Sequence, residues 1–280
     1  MSDANESQTA NPLAAPFAWD LVADGYTEEV VPMFERFAER ALDVANVQAG
    51  SRVLDVATGP GTLAILAARR GAEVTAVDFS EAMIERLRAR AAGEGLSNVR
   101  ALVGDGQALE VPDRAFDAAF SMFGVIFFPD RARGLGEMAR VLAPGGRAVV
   151  SSWPPVEKSV PLLASIFASV RANVPGLPFR AEGVPLGEPD AIRRELSAAG
   201  FVDVQVSERT VAQDFPSLAD AWSSFARSTA PIVLLRRKLG EVAWQAVAER
   251  IHADLVSQFG PGPVHLEARA YLGVATSPGA

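Results

Sequence analysis

The residues of this chain that could do chemistry are acids placed at the ends of apolar runs. Asp55 closes the run that begins at Val53 and precedes a tight glycine turn, Gly59-Pro60-Gly61. Such a turn between a strand and a helix lets a ligand approach the backbone beside free N–H groups at the helix start. Gly59 to Ala64 fits the Gly-x-Gly-x-x-Gly/Ala pattern of dinucleotide sites. Asp55 favours a different ligand, because a carboxylate beside the turn repels a pyrophosphate and attracts an ammonium or a sulfonium. Asp78 ends a second run, nineteen residues after Gly59, where a carboxylate can accept from both hydroxyls of a ribose. Asp105, within Gly104-Asp105-Gly106, ends a third and can accept from an adenine amino group. Each has an ordinary alternative. Asp78 can cap the helix beginning beside Ser80, Asp105 can be a turn acid, and Phe79 and Met83 can be core.

The elements that must position these acids follow from the hydrophobic pattern. Ser51–Ala64 reads as strand, turn and helix start, with the helix running from about Thr62 to Arg70 and ending at Gly71. A strand over 72–79, a helix capped by Ser80 and a strand over 98–103 come next. A strand over 116–123, a helix over 131–142, the break Pro144-Gly145-Gly146 and a strand over 147–153 complete the series. Strand and helix alternate with short connections, which predicts an α/β fold, a doubly wound parallel sheet with helices on both faces. Its ligand edge is the carboxyl ends of the strands, where all three acids fall. Before this core, residues 27–47 read as one helix capped by Thr27, with Pro32 tolerated near its start. After it the spacing predicts helices over 158–174 and 190–199 and helical sequence over 217–258, interrupted near Pro231. Alternating strands are expected at Phe201–Val211 and Pro263–Thr276.

Composition narrows the function. The 280 residues include no Cys and only His252 and His265, which excludes disulfides, thiolate metal sites and a His-rich metal centre. A net charge of −8 argues against nucleic-acid partners. The start is polar, and no run of about 18 apolar residues appears, so neither a signal peptide nor a membrane span is expected. These features predict a cytoplasmic protein, monomer or homodimer. Its single domain spans 15–276, with disorder at 1–14 and a loose tail at 277–280. Within the domain, 15–48 is an N-terminal lid, 49–153 the binding core, and 154–200 and 212–262 are helical inserts.

Val53–Thr62 resembles motif I of the class I S-adenosylmethionine-dependent methyltransferases, Asp-x-Gly-x-Gly-x-Gly. Asp55, Gly59 and Gly61 match it, and Ala57 stands where the first Gly is usual. Ala there is similar to the ubiquinone/menaquinone-biosynthesis methyltransferases. Asp78, the Gly104-Asp105-Gly106-Gln107 corner and the Pro144-Gly145-Gly146 turn fall in family order, and the match covers roughly Ala49–Trp153. The resemblance implies S-adenosyl-L-methionine as cofactor and a mostly parallel, seven-stranded Rossmann-like sheet. In it the last strand is antiparallel, inserted next to the fifth. It also implies site roles. The backbone from Ala57 through Gly59, Pro60 and Gly61 lies against the methionine part, and Asp55 faces the amino group. Asp78 holds the ribose, with Phe79 or Met83 on the adenine. Gly104, Asp105, Gly106 and Gln107 border the adenine edge. Ser121 and Met122 lie near the transferring methyl.

The acceptor is expected to be small and partly apolar, with family analogy pointing to quinones, phenols or amines. Candidate walls are Phe17, Trp19 and Tyr26 near the start, Phe123, Phe127 and Phe128 after the fourth strand, and Trp153 after the fifth. Phe167, Trp222 and Phe225 of the inserts could form a cover. The weak candidate for a general base is His265, and a lone His is more often structural, so catalysis is expected mainly from positioning. Two competitors are a nicotinamide-dependent oxidoreductase, which Asp55 disfavours, and a non-catalytic cofactor-binding module.

Overall fold

The computed structural model describes residues 11–174 and 184–279. Seven strands form one sheet: β1 (Arg52–Val56), β2 (Glu73–Asp78), β3 (Val99–Val103), β4 (Phe116–Met122), β5 (Leu142–Ser152), β6 (Val202–Phe215) and β7 (Val264–Thr276). Their order is β3-β2-β1-β4-β5-β7-β6. The first five are mutually parallel, and β7 runs antiparallel to both β5 and β6. The expected sheet is therefore present, with its last strand next to the fifth.

Among the described residues, twelve α-helices surround it. Three precede the sheet: α1 (Pro16–Asp20), α2 (Ala23–Glu29) and α3 (Val31–Val44). The alternating part contributes α4 (Thr62–Arg69), α5 (Glu81–Gly93) and α6 (Arg131–Val141). After β5 come α7 (Val156–Ser159), α8 (Pro161–Asn173) and α9 (Pro189–Ala198), and between β6 and β7 lie α10 (Leu218–Ser228), α11 (Ala230–Leu239) and α12 (Glu241–Phe259). One sheet face buries Leu63, Ile65, Ile84 and Leu87 from α4 and α5 together with Ala41 and Leu42 from α3. The opposite face buries Leu135 and Met138 of α6 and Ile192 and Leu196 of α9. Central strands covered on both sides explain why β1 is buried at every residue after Arg52.

A third apolar cluster sits at the carboxyl edge. The last β5 residue paired with β7 is Ser152, opposite Tyr271, and beyond it β6 and β7 continue alone to the pair Phe215–Val264. This two-stranded arm projects past the sheet. The inward residues Val211, Leu266, Ala268 and Ala270 of the arm pack with Ile166 of α8, Trp222 of α10, Ile232 of α11 and Ile251 of α12. α8 and α10–α12 therefore gather on the arm beyond the end of β5.

Several boundaries differ from expectation, each for a local reason. Residues 27–47 are not one helix: α2 ends at Glu29, and Pro32 occupies the first turn of a new one, where its missing N–H costs nothing. Thr27 is no cap, since its hydroxyl donates to Ala23 O at 2.6 Å inside α2. Pro161 likewise splits the helix expected over 158–174, and β6 runs four residues beyond Val211 because β7 pairs with it throughout. Of the terminal stretches expected to be loose, 1–10 and 280 lie outside the described residues. Pro12–Ala14 forms a 3-10 turn whose Leu13 O accepts from Trp19 Nε1 at 2.9 Å. Ser277 is buried and bonded through its backbone to Gly145 and Gly146.

Candidate active site

The carboxyl end of β1 lies between those of β2 and β4, with Asp55 opposite Ala76 and Phe120. Asp55 is 1% exposed. Its Oδ2 accepts from the Thr58 hydroxyl at 2.6 Å, while Oδ1 is buried with no partner. Burial pushes the Asp55 carboxyl up to about 7, against the Thr58 hydrogen bond, and the nearby Asp78 charge adds to the rise. A buried acceptor left open is costly, and a cationic donor beside Oδ1 would complete it.

The turn that follows presents backbone to the same space. Gly59 has φ +55°, and a Cβ placed on it would meet nothing within 4 Å. Its N–H is held at 2.8 Å by Asp78 Oδ2. Gly61, at φ +82°, is glycine for another reason: a Cβ there would collide with Leu87 of α5. The two turn glycines, expected to serve the ligand alike, divide the work between an open face and helix packing. Gly61 also heads α4 without any side-chain cap, and the Ala64 N–H in the first turn of that helix faces the Asp55 carboxylate. Pro60 O accepts from Arg90 Nη1 at 2.7 Å, and Arg90 also pairs with Glu35 of α3 at 3.6 Å. Arg90 thereby straps the turn to α3 and α5.

Both carboxylate oxygens of Asp78 are taken by backbone N–H groups. Oδ1 accepts from Ser80 N at 2.9 Å, and Oδ2 from Gly59 N. It is buried, and burial raises its carboxyl to about 6 against those two hydrogen bonds. Ser80, not Asp78, caps α5, accepting from Met83 N at 3.1 Å. The Ser80 hydroxyl donates at 2.6 Å to Asp20, tying the end of α1 to this corner. Phe79 is half-buried. Met83 is 2% exposed and packs with Val22, Ala23 and Ala230, so it is covered by α2 instead of lying open as a ligand wall.

The third acid is the turn residue weighed against a ligand role. Asp105 is exposed, and its Oδ1 accepts from Gln107 N at 2.8 Å and Gln107 Nε2 at 3.1 Å. Gln107 Oε1 accepts from Asp130 N, fixing this corner to the start of α6. Gly104 faces Val77, and a Cβ on Gly106 would come within 2.5 Å of Phe128 Cζ and 2.7 Å of Val56 Cγ1. Phe128, a candidate wall, is therefore packed against Gly106.

After β4 the chain turns sharply. Ser121 Oγ, fully buried, accepts from Val125 N at 3.1 Å, and Ser151 Oγ accepts from Phe123 N at 2.9 Å. Phe123 is forced to φ +60° and stacks on Trp153 at 4.1 Å between centroids, 15° from parallel. Met122 is half-buried and packs against the same cluster. Phe34 of α3 lies 4.7 Å from Phe123 and 5.7 Å from Trp153, and Phe37 stands edge-on to both. From Phe34 the contacts continue through Tyr26 to Trp19 and on to Phe127. Burial, and next the Asp78 charge, hold the Tyr26 hydroxyl well above the usual tyrosine range, so it stays protonated and is no base. Five of the seven residues expected to line the acceptor side thus join one aromatic chain with Phe34 and Phe37.

Comparison with known proteins decides what such a site serves. Residues 53–146 match the family model described as "Methyltransferase domain". A demethylmenaquinone methyltransferase of Thermus thermophilus is 39% identical over 181 residues, 59% of this chain and 81% of that protein. The chain belongs to the class I S-adenosylmethionine-dependent methyltransferases. A nocamycin O-methyltransferase of Saccharothrix syringae is 29% identical over 265 residues, covering 88% of this chain and 92% of its own. Among solved structures, the [4+2]-cyclase SpnF superposes with a TM-score of 0.63 at 19% identity, over 97% of this chain and 98% of that one. A cyclase on the same scaffold shows that the fold alone does not choose the reaction. The nicotinamide and non-catalytic readings fall with the family assignment.

The cofactor of this methyltransferase is S-adenosylmethionine, and the residues present suit it. The orphaned Oδ1 of Asp55 and the open face of Gly59 offer an acid and a bare backbone side by side. Two expected residues lie elsewhere. Phe17 is 50% exposed beneath the Arg237 guanidinium, outside the aromatic chain. His265 is on the arm, paired with Asp214 at 2.6 Å, its side chain 62% exposed. The structure also adds Thr58, Asp20, Arg90 and Phe34. Thr58 was legible as a hydroxyl three residues after Asp55, and Phe34 as part of an apolar helix face. Asp20 and Arg90 had no local signal, because their partners lie 60 and 30 residues away.

Proposed function

We propose that this methyltransferase methylates a small, flat, largely apolar acceptor carrying a phenol- or quinol-type hydroxyl, and that it does so mainly by positioning. The observation that carries this reading is the cluster of Phe34, Phe37, Phe123 and Trp153 at the carboxyl edge beside Ser121. Such a surface favours an aromatic or apolar partner and supplies no proton acceptor of its own. The relatives named for demethylmenaquinone, a quinone, and for O-methylation of nocamycin support a reading in this direction.

Bound at the loop, S-adenosylmethionine supplies an electrophilic methyl group on a sulfonium. Asp55 Oδ1 receives its ammonium, and the Gly59 backbone receives its methionine part. Asp78 would hold the ribose, with Phe79 toward the base and Asp105, Gly106 and Gln107 toward its edge. Ser121 and Met122 lie between the two halves of the site. The rings exclude water and hold the acceptor in line, an alignment worth about 7–11 kcal/mol in favourable cases. A phenol or quinol needs little help to release its proton as it reacts, which suits a site without a base.

Methyl-labelled S-adenosylmethionine offered with a panel of reduced naphthoquinones, substituted phenols and aliphatic amines tests the reading. Label is expected in the quinols or phenols. Label confined to the amines, or transfer unaffected by Trp153→Ala, would sink the acceptor assignment while leaving the family intact.

A further inference from the structure

Two residues facing each other across the site have exchanged their natural places. Ala57, the first residue after β1, has φ +55°, a left-handed conformation that suits glycine and costs other residues about 1–2 kcal/mol. Gly124, at the turn after β4, has φ −92° and ψ −48°, ordinary right-handed backbone that any residue adopts. The conformation explains neither choice. The packing explains the glycine: a Cβ on Gly124 would overlap Ala57 Cβ and come within 3.1 Å of Ser121 Oγ and 3.4 Å of Ala57 O. The methyl group of Ala57 occupies the space that a side chain at 124 would take.

The two residues belong to the two halves of the site. Ala57 lies between Asp55 and Gly59 on the cofactor side. Gly124 lies between Phe123, itself left-handed at φ +60°, and Val125, whose N–H holds Ser121 Oγ. We infer that the Ala57 methyl seated on Gly124 is a positioning interlock that sets the separation of the cofactor loop from the acceptor turn. Strain at Ala57 and the missing side chain at 124 are both costs, and a methyl-on-glycine contact joining the loops offsets them. The cofactor half of this inference rests on the family and its acceptor half on the function proposed above.

The test is a double-mutant cycle with Ala57→Gly, Gly124→Ala and the combined variant, read by calorimetric titration with S-adenosylhomocysteine and by thermal unfolding. No acceptor is needed, so the result stands whether or not the acceptor assignment does. Gly124→Ala is expected to weaken binding about tenfold or more, equivalent to about 1.4 kcal/mol. Ala57→Gly alone should weaken it less, and the combined variant should recover most of the Gly124→Ala loss. A merely structural contact would lower the melting temperature and leave binding per folded molecule unchanged, which overturns the proposal. So does a combined variant that binds no better than Gly124→Ala. If Gly124→Ala does not fold, the combined variant decides: folded and binding supports the interlock, and unfolded overturns it.

Discussion

The glycine turn after β1 and the aromatic cluster touch at Ala57 and Gly124, yet they are built on opposite principles. The loop is held by backbone. Thr58 N–H bonds Val77 O, Gly61 N–H bonds Thr58 O, and Gly59 N–H bonds Asp78. Its polar cost is concentrated in one unmatched atom, Asp55 Oδ1. The aromatic cluster is held by side chains from α2, α3, the β4 turn and the end of β5, with no polar bond among its rings. A backbone-built half is rigid before the ligand arrives, while a ring-built half can repack around different acceptors. One scaffold can thus keep one cofactor and change its substrate.

The sharpest way to break this contrast is at Asp55. Asp55→Asn keeps the shape and removes the charge that the cofactor ammonium would meet. Cofactor affinity is expected to fall by roughly a hundredfold, within the about 1.5–3 kcal/mol of a charge-assisted hydrogen bond. Titration calorimetry reads it directly. Stability should move the other way. In the unfolded chain the Asp55 carboxyl ionises near 4, and in the folded chain near 7, with Asp78 near 6. The folded protein therefore holds protons that the unfolded chain releases. Free of cofactor, it should lose stability as pH rises from about 4 through 7. Asp55→Asn should flatten that slope, while in the native protein cofactor binding should strengthen as pH passes 7. Thermal unfolding at pH 5 and pH 8, with and without S-adenosylhomocysteine, checks both signs. A native protein free of cofactor that is more stable at pH 8 would contradict the pKa argument.

Next in size is a pair of substitutions within the turn. Gly61→Ala drives a methyl into Leu87 and should cost about 2–4 kcal/mol of stability, from overpacking plus left-handed strain. Gly59→Ala meets open space, so its stability cost should be only the conformational part, about 1–2 kcal/mol, while cofactor affinity falls. Equal melting temperatures for the two variants would show that the glycines do not divide the work as the packing indicates.

In the aromatic cluster, Phe34→Ala removes the ring on which the aromatic contacts converge. Because Phe34 is half-buried, the cost should be nearer 2 kcal/mol than the about 3–5 kcal/mol of a fully buried Phe. Cofactor affinity should hold while turnover of the acceptor falls. This prediction also marks what could be read from sequence. Asp55, Gly59, Gly61 and Asp78 lie within a span of 24 residues, so strand and helix periodicity alone brings them together. The sheet was legible for the same reason, its alternation being local. The aromatic cluster depends on contacts such as Phe34 with Trp153, separated by more than a hundred residues, and periodicity carries no information on those. Aromatic type near a terminus was enough to propose Trp19 and Tyr26, but it equally proposed Phe17, which lies exposed under Arg237. The breaks at Pro32 and Pro161 were visible as prolines, but whether each interrupts a helix or begins one depends on what the next turn packs against.

The smallest expected effect is at His265, and it tests whether the site needs a base at all. Its Nδ1 meets Asp214 on the neighbouring strand, and both side chains are largely solvent-exposed on the arm. An exposed pair of this kind contributes about 0–1 kcal/mol. The inward residues of the arm are Leu266, Ala268 and Ala270, and strand alternation turns His265 away from them. His265→Ala should therefore leave methyl transfer unchanged and shift stability by less than about 1 kcal/mol. If it instead abolished turnover in a folded protein that still binds S-adenosylhomocysteine, the arm would have to fold over the acceptor during the reaction. Catalysis by positioning alone would then be wrong. If turnover persists, the acceptor must release its proton without an imidazole from the arm, which strengthens the assignment of an acidic hydroxyl over an aliphatic amine.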